Sequence, residues 1–125
     1  MPIISGGGGG GGAVAALTWT SVTGGVGYTN GWADFGAPYG AVQYAKDTNF
    51  LYLRGGATPA GASADAMFTL PVAFRPATQR LFQVFDGAGG ANTGAFEILT
   101  TGVVSAFNRV GATSFFFDGI VCPLT

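Results

Sequence analysis

The sequence predicts an all-β domain: an antiparallel β-sandwich, jelly-roll-like, preceded by a glycine-rich N-terminal arm. Three observations carry that expectation. From residue 14 onward no window holds its apolar residues at spacings of three and four, and Gly or Pro interrupts every candidate helix. Aromatic and β-branched residues gather instead in about eight short runs bounded by Gly, Asn and Asp. Glycine supplies 23 of the 125 residues, and seven of these form one unbroken run. The chain therefore divides into an arm, residues 1–12, and a head domain, residues 13–125.

The arm begins with an apolar tip, Pro2, Ile3 and Ile4, followed by Gly6, Gly7, Gly8, Gly9, Gly10, Gly11 and Gly12. Polyglycine ordinarily reads as a flexible linker, because ordering it costs more backbone entropy than ordering any other sequence. With an apolar tip at its end, the run is expected to serve as an anchoring arm that docks into a partner. The apolar patch at 13–17 is far shorter than the roughly 20 residues a membrane-spanning helix needs. No basic start precedes it, so neither a signal peptide nor membrane insertion is expected.

The strands are expected at residues 16–22, 43–46, 50–54, 67–70, 80–85, 95–100, 103–108 and 114–121. Turn clusters separate them: Asp47-Thr48-Asn49, Asp86-Gly87-Ala88-Gly89-Gly90, and Thr101-Gly102, the last tight enough for a hairpin. Several of these strands are apolar on both faces, among them Phe50-Leu51-Tyr52-Leu53 and Phe115-Phe116-Phe117. Successive side chains of a strand point to opposite faces. One face fills the sandwich, and the other requires a second cover: a subunit interface in a homo-oligomer is the preferred reading, and a loop or the N-terminal segment folded over that face is the alternative.

Charge scarcity points the same way. Charged residues make up 9% of the chain, against roughly 25% in ordinary domains. Five basic and six acidic residues give a net charge of −1, which leaves no electrostatic case for binding nucleic acid. Histidine is absent, which excludes Ser-His-Asp and Cys-His catalysis and histidine-ligated metals. The single cysteine, Cys122, excludes an internal disulfide and reads as a small hydrophobe beside Val121.

The residues left with chemistry are few. Asp34, Asp47, Asp65, Asp86, Glu97 and Asp118 fall in no glycosidase setting, and Asp86-Gly87 and Asp118-Gly119 read as turns. No catalytic residue, metal ligand or cofactor is expected. Arg75, between Leu70-Pro71 and Arg75-Pro76, is expected to hydrogen-bond loop carbonyls at a corner. Lys46 and Arg54 stand on strands expected to pair through the Asp47 turn, with an ordinary surface ion pair to Asp47. Trp19, Trp32, Phe35, Tyr39 and Tyr44 form the densest group of large aromatics in the N-terminal half. Most such rings fill a core or a subunit seam. The alternative is sugar stacking, with Asp34 and Asn30 positioned to hydrogen-bond hydroxyls. Trp32, Asp34 and Tyr39 are the candidate glycan contacts, with Asn92, on the loop 86–93, as the competing position.

The block Asn30-Gly31-Trp32-Ala33-Asp34-Phe35-Gly36 is followed by Tyr39, Tyr44-Ala45-Lys46-Asp47 and Leu51-Tyr52-Leu53-Arg54-Gly55. Phe68-Thr69-Leu70-Pro71-Val72-Ala73-Phe74-Arg75-Pro76 comes next, and Phe117-Asp118-Gly119-Ile120 closes the series. In order and spacing this set, spanning about residues 19–121, resembles the C-terminal head domain of tail-fibre and minor tail proteins of tailed bacteriophages. The resemblance implies a compact β-sandwich head that trimerises, sits on the virion at the tail or capsid surface, and contacts host surface glycans. It departs from that pattern in having twelve residues before the domain where relatives carry a shaft. That shape suits a small subunit tethered to other virion proteins by its arm. A dedicated carbohydrate-binding adhesin is the alternative reading, and a polysaccharide-modifying enzyme the lesser one.

Overall fold

A computed structural model of the chain describes residues 16–59, 63–85, 93–107 and 114–125. The anchoring arm, from Pro2, Ile3 and Ile4 through Gly12, lies outside the described residues, as does Asn92. Among the described residues the chain is all-β, with one short 3-10 turn at Val72–Phe74. The strands are β1 (Thr20–Ser21), β2 (Ala33–Asp34), β3 (Gln43–Lys46), β4 (Phe50–Arg54), β5 (Gly56–Thr58), β6 (Ala66–Thr69), β7 (Arg80–Phe85), β8 (Thr93–Ile98), β9 (Val103–Phe107), β10 (Phe115–Phe116) and β11 (Ile120–Pro123).

They form three antiparallel sheets, ordered β1-β3-β4-β11, β10-β5-β2 and β6-β9-β8-β7. The first is built on the β3–β4 hairpin, with Tyr44 opposite Leu53 and Ala45 opposite Tyr52. Asp47 closes that hairpin. Its Oδ1 accepts the N–H groups of Asn49 and Phe50, both at 2.8 Å, and its Oδ2 accepts the Tyr52 hydroxyl at 2.7 Å. These bonds replace the ion pair expected from the sequence. With the carboxylate held by three local donors, Lys46 Nζ donates to the Asp47 backbone carbonyl instead.

Strands 43–46, 50–54 and 80–85 begin and end where the sequence predicts. The run at 114–121 breaks into β10 and β11, because the chain changes sheet there. Asp118-Gly119 makes the turn, with Gly119 at φ +84°. A matching change occurs between β4 and β5 at Gly55, φ +94°. The two bends are stitched together: Phe117 N–H donates to Gly55 O at 2.8 Å, and Gly55 N–H donates to Asp118 Oδ1 at 2.9 Å. Gly55 is required here on two counts, since a Cβ at that position would lie 2.1 Å from the Ala41 carbonyl oxygen. Strands β2 and β5, absent from the sequence expectation, are two and three residues long and carry no alternation to reveal them.

One core joins the three sheets. Tyr44, Leu51, Leu53 and Cys122 enter from the first, Ala57 and Phe115 from the second, and Phe68, Phe96, Ile98 and Val104 from the third. Phe117 sits among them, edge-on to Phe96 at 4.9 Å and to Phe68 at 6.4 Å between ring centroids. Burial pushes the Cys122 thiol up, in keeping with a small hydrophobe. At the corner expected from the paired prolines, Arg75 Nε donates to Leu70 O at 2.9 Å. The outer faces retain apolar side chains in the open, including Val72, Leu81, Phe107 and Val121.

Candidate functional site

The segment from Tyr28 to Val42 links the first two sheets, and it is held at three places. Asn30 (φ +58°) and Gly31 (φ +84°) form a turn that seats against β6: Asn30 Nδ2 donates to Ala66 O at 2.9 Å, and Thr29 N–H donates to Met67 O at 2.8 Å. Trp32, 3% exposed, follows the turn into the core, where its ring stacks on Phe115 and its Nε1 donates to Ala64 O at 2.9 Å. The polar handle of the indole is satisfied inside the domain, and its faces are covered.

Asp34 is the second tie. Its Oδ1 accepts the Tyr28 hydroxyl at 2.6 Å and the Val42 N–H at 3.0 Å, and its Oδ2 accepts the Thr23 hydroxyl at 3.0 Å. One carboxylate thus binds the 22–28 loop to the start of β3. Partial burial, and then the hydrogen bond and charge of Asp34, push the Tyr28 phenol well above the usual tyrosine range.

The third tie presents the surface. Phe35 N–H donates to Gly56 O at 2.8 Å and Gly56 N–H donates to Gly40 O at 3.1 Å, so the loop 35–40 lies along β5. Phe35 and Tyr39 project from it and meet Phe116 of β10. The three ring centroids stand 5.3 Å apart (Phe35–Tyr39), 5.3 Å apart (Phe35–Phe116) and 4.7 Å apart (Tyr39–Phe116). Phe35 is 42% and Tyr39 48% exposed, whereas Phe116 is half-buried beneath them. Gly56 leaves room for this packing, since a Cβ there would lie 2.7 Å from the Phe116 ring. Gly36 and Gly40 leave the flanks of the patch open.

Of the residues named from sequence, Tyr39 stands at the surface, Trp32 in the core and Asp34 in the tie beneath the loop. Phe35 was visible among the N-terminal aromatics. Phe116 reads in the sequence only as part of a two-faced strand, and its place beside Tyr39 depends on the β10–β5 pairing, which no local pattern discloses. Among the described residues, no group of three His, Cys, Asp or Glu side chains is placed to hold a metal ion. None of the described helices is long and apolar enough to cross a membrane.

No family model and no curated sequence matches the chain. Among solved structures it is similar to the receptor binding protein (gp15) of Listeria phage PSA, with a TM-score of 0.67 at 14% sequence identity. The similarity covers 88% of this chain and 66% of that one. The expected likeness to a phage receptor-binding head is thereby shown at the level of fold.

Proposed function

We propose that this chain is a structural virion protein of a tailed bacteriophage: a trimeric, jelly-roll-like β-sandwich head, tethered to the tail or capsid through Pro2, Ile3, Ile4 and the run Gly6 to Gly12, that contacts host surface carbohydrate. Fold likeness to a phage receptor binding protein supports the virion and binding parts of this reading. Low charge together with exposed Val72, Leu81 and Val121 supports association with further copies.

The observation that carries the carbohydrate reading is the open cluster of Phe35, Tyr39 and Phe116. A sugar ring offers an apolar C–H face and a polar rim. Two half-exposed aromatic rings supply area for the face, and the Tyr39 hydroxyl, with no protein partner among the described residues, supplies a bond to the rim. Asp34 and Trp32 contribute by fixing the loop, and Asn92 remains the competing contact. The mode of action is binding without bond cleavage.

The test is Tyr39→Ala in the full chain, assayed on a glycan array and by adsorption to host cells. Tyr39 is half exposed, so the substitution should cost about 1 kcal/mol of stability or less. Binding should weaken about tenfold or more, the effect of losing a contact of central importance. Unchanged binding by a normally folded variant would remove the patch from the proposal.

A further inference from the structure

Five basic residues serve the whole chain, and Arg54 is the exposed one among those described; Lys46, Arg75 and Arg80 are half-buried. Each half-buried cation donates to a backbone carbonyl: Lys46 to Asp47, Arg75 to Leu70 and Arg80 to Thr125. Arg54 is held differently. Its guanidinium carbon lies 3.9 Å from the centroid of the Trp19 ring, and its Nε donates to Gln43 Oε1 at 2.7 Å. The stack covers a face of the planar group and the amide covers one edge. The end that carries both Nη groups has no acceptor among the described residues, and no described carboxylate pairs with it. The adjacent Asp118 carboxylate accepts the Gly55 N–H instead.

A stacked, edge-bonded guanidinium has surrendered its rotamer freedom before any ligand arrives. Its free end keeps the fork geometry that matches two oxygens of a phosphate or carboxylate. The Gln43 amide NH2 adds a donor beside it. Two residues further along the chain, past the change of sheet at Gly55, Gly56 pairs with Phe116 and underlies the Phe116 and Phe35 rings.

We infer that Arg54, set by Trp19 and Gln43, is an oxyanion-binding subsite. It receives the phosphate or carboxylate group of an anionic surface polymer whose sugar rests on Phe35, Tyr39 and Phe116. The identity of that polymer as host carbohydrate rests on the function proposed above; the anion site itself rests on the Arg54 geometry alone.

Heteronuclear NMR of the full chain separates the two. The Arg54 Nε–Hε and Trp19 indole N–H signals are followed during titration with inorganic phosphate, with glucuronate, and with chloride at matched ionic strength. Saturable shifts at both signals are expected, with a dissociation constant of the order of millimolar. Arg54→Lys keeps the charge and loses the fork, and should weaken binding about fivefold or more. Saturation by phosphate alone assigns a phosphate-bearing polymer, and saturation by glucuronate alone a uronic acid polymer. Shifts no larger than those with chloride, or equal affinity in Arg54→Lys, would overturn the anion site. Tyr39→Ala should leave the phosphate titration unchanged, so loss of glycan binding in that variant speaks only to the aromatic patch.

Discussion

Removing the Asp34 carboxylate should unfold the domain at markedly lower temperature, although sequence alone presents Asp34 as a candidate sugar ligand. Asp34→Ala deletes three hydrogen bonds, from the Tyr28 hydroxyl at 2.6 Å, the Val42 N–H at 3.0 Å and the Thr23 hydroxyl at 3.0 Å. Hydrogen bonds to a charged group contribute about 1.5–3 kcal/mol each, less where water can replace the partner. Thr23 is exposed and regains water. Val42 is fully buried and Tyr28 partly so, which leaves one donor stranded and a second poorly placed to regain water. A net loss of about 3 kcal/mol follows, or roughly 9–15 °C in Tm for a domain of this size. Asp34→Asn keeps Oδ1 for Tyr28 and Val42 and should cost about 1 kcal/mol. Tryptophan fluorescence or calorimetry of both variants measures the difference. An alanine variant melting within about 3 °C of the native protein would refute the structural role; if it had also lost glycan binding, Asp34 would be a ligand contact after all.

Two further outcomes follow from the bends and the buried phenol. Gly55→Ala and Gly119→Ala impose similar backbone strain, at φ +94° and +84°, but only the first drives a Cβ into the Ala41 carbonyl. The first should cost about 3–5 kcal/mol and the second about 1–2 kcal/mol; equal losses in chemical denaturation would discount the Ala41 contact. Tyr28 has a folded pKa above its unfolded value of 10.0, so the stability it contributes is complete below pH 10 and is lost as pH rises through the folded value. The Tm gap between the native protein and Tyr28→Phe should therefore narrow above pH 10, and a constant gap up to pH 11.5 would contradict the Asp34–Tyr28 bond.

What could be read from the sequence was local. The β3–β4 hairpin announces itself through the Asp47-Thr48-Asn49 cluster between two short runs rich in aromatic and apolar residues, and its ends agree with expectation to the residue. Strand β8 begins at Thr93, two residues before its predicted start, because Gly94 and Thr93 pair with Val84 and Phe85 despite the poor strand preference of glycine. The aromatic residues were visible as a group, but not which of them face solvent. Trp32 and Tyr39 are similar as sequence signals. Only the Asn30-Gly31 turn against β6 sends the first inward, and only the loop along β5 holds the second out.

The least visible feature, the paired change of sheet at Gly55 and Asp118, also links the backbones of the two proposed sites. Continuing straight, β4 would carry Arg54 onward within the first sheet, and the 114–121 run would carry Phe116 along one strand. Bending both chains at the same level, and tying them through Phe117 N–H to Gly55 O, begins β5 immediately after Arg54 and pairs Phe116 with Gly56. Arg54, at the end of one sheet, and Gly56, which pairs with Phe116 on the next, are then separated along the chain by a single glycine, Gly55. Strain at this junction should therefore disturb the Arg54 and Tyr39 environments together, whereas a substitution confined to either site should leave the other intact.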